Sequence, residues 1–372
     1  MKDVYIAAYD LHSCLGEGIS ESINTLKQGA IEPSKVDLPE GQSRPYYLLR
    51  HAPEQNIQNL STVAWQTRTL HAVQSVTNQL AIKQPFVYLA SSSLDIGGIR
   101  DAAQMGTPQF DFGHQIAQAL KWHAQPITIN TACTSTFNAL GMAIHPLKAG
   151  HQDDAMILGV EMFNDYTLFG FEAMQLLATN AAQPLGNNRQ GLVMGEAVAA
   201  LHLTTQLNAL SAKQQAKAWR ILSYANVVNG RNPTGATETA LIQACQQALA
   251  EADLETKAID LIKLQAAGSP LNDAVEISAL HQVFDLVPPC VALKMAMGHT
   301  LGASGAAETA LLLACIDQEI WPQIDYPLDA LLNVPLVTQQ TPIASNLAQT
   351  IMLITLGFGG GHSVLILQRN QI

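Results

Sequence analysis

The chain predicts an α/β fold of layered, largely parallel sheets, on three observations. Short, largely apolar runs such as FVYLA (86–90), which is wholly apolar, DAMILGV (154–160) and IDLIKL (259–264) alternate with longer segments whose apolar residues recur at helical spacing. Strands this uniformly apolar are normally covered on both faces, which is the setting of sheets sandwiched between helices. The same strand–helix rhythm also runs through both halves of the 372 residues, and a Gln/Ala/Lys-rich helical stretch at 205–217 marks a boundary between them. The expected division is 1–205 and 206–372.

In chain order, 4–9 reads as a strand and 11–16 as a turn into a helix over 19–28, closed by Gly29. Residues 31–60 are rich in Pro, Gln, Asn and Ser and read as a surface excursion. The spacing of Val63, Ala64, Leu70, Val73 and Val76 predicts a helix over 61–82, followed by the strand 86–90 and the polar run Ser91-Ser92-Ser93. PITIN (126–130) is a further short strand, leading through Thr131-Ala132-Cys133-Thr134-Ser135-Thr136 into a helix with Phe137, Leu140, Ile144 and Leu147 on one face and Gly150 at its end. Beyond the strand 154–160 and Glu161, an aromatic and Met stripe (Tyr166, Phe169, Phe171, Met174) occupies 164–179, a loop 184–191, and a strand 195–203. The second half offers a strand at 219–228, a turn-rich loop at 229–235, a helix over 237–252 and the strand 259–264. The loop Gln265–Pro270 then enters a helix over 273–283, and 291–293 leads through Lys294–His299 to a helix of small residues, 302–317. Two last strands, 352–356 and 363–367, flank the glycine-rich loop 357–362.

With 48% hydrophobic and 13% charged residues, the chain can bury a large core and is not disordered. A net charge of −11 excludes general nucleic-acid binding. The five cysteines are odd in number and scattered, with no C-x-x-C pair, which argues against a disulfide framework and against a zinc or other metal site. No run approaches eighteen apolar residues, so no membrane span is expected, and the N-terminus reads as a strand, not a signal peptide. The expectation is a reduced, cytoplasmic protein.

Chemistry concentrates at three junctions. Cys133 stands where a strand enters a helix, where free N–H groups and the helix dipole favour a thiolate and an oxyanion. His299 precedes the helix of small residues, and Phe358 lies in a loop with four glycines, which permit close backbone approach. Each has a bland alternative: a small buried cysteine, a turn histidine, a strand corner. Their joint occurrence at junctions of a doubled α/β pattern favours a site.

These stretches resemble the β-ketoacyl-acyl carrier protein synthases of the thiolase superfamily. The matches are TACTST at 131–136, KMAMGHTLGASGAAE at 294–308 and LGFGGGHS at 356–363, supported by PLGNNRQGLVMGEA at 184–197 and SPLNDAVE at 269–276, in family order. The resemblance implies a thiolase-like five-layer αβαβα fold built from two similar halves, usually dimeric, with the site between them. It assigns Cys133 as acyl-accepting nucleophile, His299 as hydrogen-bond donor to the malonyl thioester, Lys294 and Glu308 as the supporting pair, and the N–H groups of Cys133 and Phe358 as the oxyanion hole. Substrates would arrive on the phosphopantetheine of acyl carrier protein, with no tightly bound cofactor. Phe169, Phe171 and Phe358 are the aromatic candidates for substrate contact, although the stripe around 166–171 suits an acyl tunnel or a dimer interface equally.

One departure stands out. Where the family carries a second catalytic histidine in H-G-T-x-T-P, this chain has Gln265-Ala266-Ala267-Gly268-Ser269-Pro270. Glutamine donates and accepts hydrogen bonds but does not take up a proton near neutrality. His362 is a candidate substitute. The two functions to weigh are an active condensing enzyme of fatty acid or polyketide/polyene biosynthesis, and a chain-length-factor-like subunit of a ketosynthase heterodimer. Retention of Cys133 favours the first; the missing histidine and short length favour the second. A cysteine hydrolase fits a Cys–His pair, but no hydrolase signature surrounds Cys133.

Overall fold

The computed structural model describes residues 2–51, 57–80, 82, 84–99 and 112–370. The first half contains β1 (Tyr5–Ser13), β2 (Gly16–Glu17), α1 (Ile19–Gln28), β3 (Ser34–Asp37), β4 (Ser43–Tyr47), α2 (Thr62–Gln79), β5 (Val87–Ala90), α3 (Phe112–Ala119), β6 (Ile127–Ile129), α4 (Ser135–Ala149), β7 (Asp154–Glu161), α5 (Asp165–Ala173), β8 (Met194–Gly195) and β9 (Ala197–Thr204). The second contains α6 (Ala212–Lys217), β10 (Trp219–Val228), α7 (Glu238–Ala252), β11 (Leu261–Lys263), α8 (Pro270–Val283), β12 (Cys290–Val291), α9 (Lys294–Met297), α10 (Ser304–Gln318), β13 (Thr350–Gly357) and β14 (Gly361–Arg369).

The strands form two runs of the same design, β6-β5-β7-β9-β1 and β12-β11-β13-β14-β10, joined edge to edge where Tyr5 and Ile6 of β1 meet Arg220 and Trp219 of β10. In each run the three strands farthest from the joint are mutually parallel and the other contacts are antiparallel. The sheets are therefore mixed, not largely parallel as the sequence suggested. β13 and β14 return on each other through the tight 358–360 turn, and β9 runs antiparallel to both its neighbours. On the repeated strand order we propose the 205/206 division as the boundary between equivalent halves.

Between the runs lies an inner helical layer. α10 packs on β9, β7, β1 and β13, and α4 packs on β5, β6, β7, β10 and β14. α2 covers the outer face of the first run at β1 and β9, and α7 covers β10 and β14 with α8 alongside. The layers run αβαβα, and apolar clusters fill the inner seam and both outer faces. Every residue of α10 from Ser304 to Ile316 is buried. A helix covered on all sides carries no polar stripe, which explains the run of small and apolar residues there.

The stretch 31–60 is more than an excursion. β3 and β4 pair, β4 pairs with β8, and Val36, Tyr46, Tyr47 and Leu49 are buried. Strands this short, one interrupted by Pro45, leave little periodic signal in a polar stretch. The helix expected over 61–82 ends at Gln79, and the one expected within 205–217 shrinks to α6 behind a capping box at Ser211 and Gln214. The aromatic stripe contributes only the nine residues of α5.

A Cβ on Gly302 would collide with the backbone of Ser91 and Ser92, whereas one on Gly170 in α5 meets nothing within 4 Å. Gly302→Ala is expected to cost about 1–3 kcal/mol in urea unfolding, as overpacking does. Gly170→Ala, at an exposed helical position, is expected to be neutral or to gain up to ~1 kcal/mol.

Candidate active site

Cys133 sits on a sharp turn between β6 and α4. Ala132 before it has φ 53°, and the turn is closed by Thr134 N–H to Thr131 O (3.3 Å) and Ser135 N–H to Ala132 O (3.1 Å). Ser135 Oγ accepts from Thr131 N–H at 2.9 Å, fixing the strand end to the first turn of α4. Thr136 Oγ1 donates to Gly302 O at 2.5 Å, which ties this turn to the approach to α10. From the other side, Glu161 at the end of β7 accepts N–H bonds from Ser92 (2.9 Å), Ser93 (3.1 Å) and Gly302 (3.0 Å).

His299 is stitched beside β8: its N–H donates to Val193 O at 2.7 Å and its carbonyl accepts from Gly195 N–H at 3.0 Å. Its Nδ1 accepts from Leu301 N–H at 3.2 Å and lies 3.1 Å from Ser304 Oγ. The ring proton therefore belongs on Nε2. Burial, reinforced by the Lys294 and Lys263 ammoniums, holds the imidazole well below its usual range and neutral.

The loop at 265–268 is clamped by two carboxylates of α8. Glu276 accepts from the N–H groups of Gln265 (2.7 Å) and Ala266 (2.9 Å), and Asp273 from those of Ala267 and Gly268 (3.1 Å each). Burial pushes both carboxyls up, Glu276 to about 7. Lys294 Nζ donates to Gln265 Oε1 at 3.2 Å and to Glu308 Oε1 at 2.5 Å. An ammonium only donates, so this contact fixes the amide, with the oxygen toward Lys294 and the NH₂ group free.

Cys133, His299, Gln265, Phe358 and Phe171 line one cavity of about 40 Å³, room for a few waters. The three groups read from the sequence as a site thus face the same space, and Gln265 lines it with them. Lys294 and Glu308 stand behind it. Phe171 stacks on Phe358 with ring centroids 5.2 Å apart, while Phe169 is on the exposed face of α5 and does not line the cavity. His362 is turned away from it: Nε2 accepts from Thr237 N–H at 2.9 Å, leaving Nδ1–H to donate to Gly360 O at 2.9 Å. Both ring nitrogens fasten loops, so the expectation that His362 serves the site is not met. Sequence reasoning missed Lys263, whose Nζ donates to Glu308 Oε2 at 2.8 Å; a lysine inside the apolar run IDLIKL was the available signal.

Burial also overrules the expected thiolate. It pushes the Cys133 thiol up to about 11, and the Lys294 charge with the N–H groups of Phe358 and Cys133 only partly opposes it. Cys133 rests as a neutral thiol facing two N–H groups. All five cysteines are free and buried. Among the described residues no cluster of His, Cys, Asp and Glu is arranged to hold a metal, and no helix is long and apolar enough to cross a membrane.

A cysteine at a strand–helix junction, sharing a cavity with a histidine and facing backbone N–H donors in an αβαβα fold, is the arrangement the structure shows. The β-ketoacyl synthase N-terminal domain matches residues 101–209 and the C-terminal domain residues 220–325, so the chain belongs to the β-ketoacyl synthase family. Among curated relatives, 3-oxoacyl-[acyl-carrier-protein] synthase 1 of Haemophilus influenzae is 28% identical over 255 residues, 65% of this chain and 61% of that protein. A polyketide β-ketoacyl synthase 1 of Streptomyces cyaneus, described as putative, is 29% identical over 64% of this chain and 60% of its own length. The match thus spans about three fifths of these relatives. Among solved structures, a ketosynthase in complex with its chain length factor from Xenorhabdus doucetiae superposes with a TM-score of 0.80 at 21% identity, over 99% of this chain and 98% of that one. A β-ketoacyl synthase from Burkholderia phymatum does so at 0.81 and 20%, over the full length of both.

A thiol with a pKa of about 11 has a thiolate fraction that rises tenfold per pH unit up to that value. Iodoacetamide labelling of Cys133, read by peptide mass, is expected to accelerate without a plateau from pH 7 to pH 10. A plateau near neutrality would mark a helix-activated thiolate instead.

Proposed function

We propose that the protein is a condensing acyltransferase: Cys133 takes an acyl chain from the phosphopantetheine thioester of an acyl carrier protein, and the acyl enzyme condenses with malonyl-carrier protein. The observation that carries this reading is the shared cavity of Cys133, His299, Gln265 and Phe358. In the first step sulfur attacks the thioester carbonyl, the oxyanion meets the N–H groups of Cys133 and Phe358, and the thiol proton leaves with the carrier thiol. In the second, the malonyl carboxylate departs as CO₂ and its bonding pair forms a thioester enolate, whose oxygen accepts from His299 Nε2–H and the Gln265 NH₂ group. The enolate carbon attacks the Cys133 thioester, the C–S bond breaks, and the thiolate is protonated from water. Each turn consumes one proton, and no step requires either donor to ionise.

Lys294 and Glu308 act here by holding Gln265, and Phe171 and Phe358 must part to admit an acyl chain. Acyl carrier protein is the partner, in a homodimer or in a heterodimer with another ketosynthase subunit, in the cytoplasm, with no resident cofactor. A second reading, a chain-length-factor-like subunit, is favoured by Gln265 and by the small cavity. It is also in keeping with the ketosynthase and chain length factor complexes among the similar folds.

Incubation with acyl-carrier proteins of several chain lengths should add one acyl mass to the intact protein and none to Cys133→Ala. Absence of any adduct, together with co-purification of a separate ketosynthase, would move the assignment to the partner subunit. A histidine would add proton transfer to the hydrogen bond that glutamine gives, an effect typically worth about 10²–10⁴-fold, so Gln265→His is expected to raise CO₂ release from malonyl-carrier protein by at least ~10-fold. An unchanged rate would mean that position 265 does not limit the reaction.

A further inference from the structure

Lys263 is a second lysine in the core, absent from the roles considered so far. It ends β11 with no exposed surface, and its ammonium donates to Glu308 Oε2 at 2.8 Å and to Ile354 O on β13 at 2.7 Å. Glu308 is thereby shared, with Lys294 on its other oxygen at 2.5 Å. A buried lysine is tolerated only when paired, and one carboxylate does not neutralise two ammoniums. The cluster's remaining positive charge is met on one side by Gln265 Oε1, which accepts from Lys294, and on another by Glu276, which accepts the Gln265 and Ala266 N–H groups.

We propose that Lys263 is a positioning residue: by occupying one oxygen of Glu308 it keeps Lys294 engaged with Gln265 and so keeps the glutamine's NH₂ group aimed at the cavity. This rests on the condensing reading above. A glutamine side chain has two nearly isosteric orientations, one presenting donors and the other an acceptor that repels a thioester oxygen. Without Lys263, Glu308 and Lys294 form a self-sufficient pair and nothing holds Gln265 Oε1.

Charged and titratable groups facing Lys263 are Glu308 from α10, Lys294 from α9 and Glu276 from α8, with His299 beyond them. Burial and the neighbouring ammonium bring Lys263 down to about 8, so it loses its proton as pH rises through that value. The full-length protein would be assayed for CO₂ release from malonyl-carrier protein and, separately, for acyl adduct on Cys133. Wild-type CO₂ release is expected to fall severalfold from pH 7.5 to pH 9.5 while adduct formation does not. Lys263→Met should release CO₂ at least tenfold more slowly with adduct formation within twofold, and Lys263→Arg should restore the rate and move the alkaline decline upward. A Lys263→Met variant as fast as wild type overturns the proposal, as does a wild type that forms the adduct but releases no CO₂. Should the variants not fold, a wild-type rate flat to pH 9.5 overturns it alone. A wild type that forms no adduct refutes the condensing reading itself.

Discussion

The structure depends on one constraint: α10 must be enclosed on every side. It lies between two strand runs and beside α4, so each of its positions meets another element. Its only acidic or basic side chain in the enclosed stretch is Glu308. A carboxylate there is sustained by Lys263 from β11 and Lys294 from α9, and removing one partner of such a set typically costs about 3–5 kcal/mol. The cluster therefore joins the central helix to the second strand run and to the loop carrying Gln265. What stabilises the core also sets the floor of the cavity.

Burial gives the site its chemical character. The same enclosure raises the Cys133 thiol and lowers the His299 imidazole, so both rest neutral. A site of neutral groups acts by directing N–H donors at carbonyl oxygens, not by supplying charge. That suits thioester exchange, in which the charge that appears is an oxyanion, and the donors are worth more because water is excluded. It also makes glutamine a tolerable occupant of position 265 wherever donation alone is required.

The letters carried the site further than the sheets. TACTST, GHTLGASG and GFGGG were legible because strand–helix junctions and close backbone approach restrict residue type, and the structure brings Cys133, His299 and Phe358 together. Burial was not legible: the helix terminus at Cys133 argued for a thiolate, and only the enclosing layers reverse it. β3 and β4 were missed because strands of four and five residues leave no periodic trace, although Leu49 beyond them donates to Glu196 at 2.8 Å and anchors the segment. Strand direction was missed because β9 and β14 are as apolar as the parallel strands of their runs. Lys263 was visible only as a lysine in an apolar run, and its partner lies 45 residues away.

The repetition of the strand order explains why the groups meet. Cys133 follows β6 and the Lys294–His299 segment follows β12, which hold the same outermost place in their runs. Gln265 follows β11 as Ser91–Ser93 follow β5, and Phe358 follows β13 as Glu161 ends β7. All of these lie at the carboxyl ends of parallel strands, where open α/β sheets present their loops. Joining two such runs edge to edge through β1 and β10 brings both sets of ends to one seam. The first half contributes the sulfur and the carboxylate that fixes its neighbouring loops; the second contributes the donors and the buried charges that orient them. Since Lys294 donates to Gln265 Oε1 and shares Glu308 with Lys263, position 265 is tied by hydrogen bonds to the core of the second strand run.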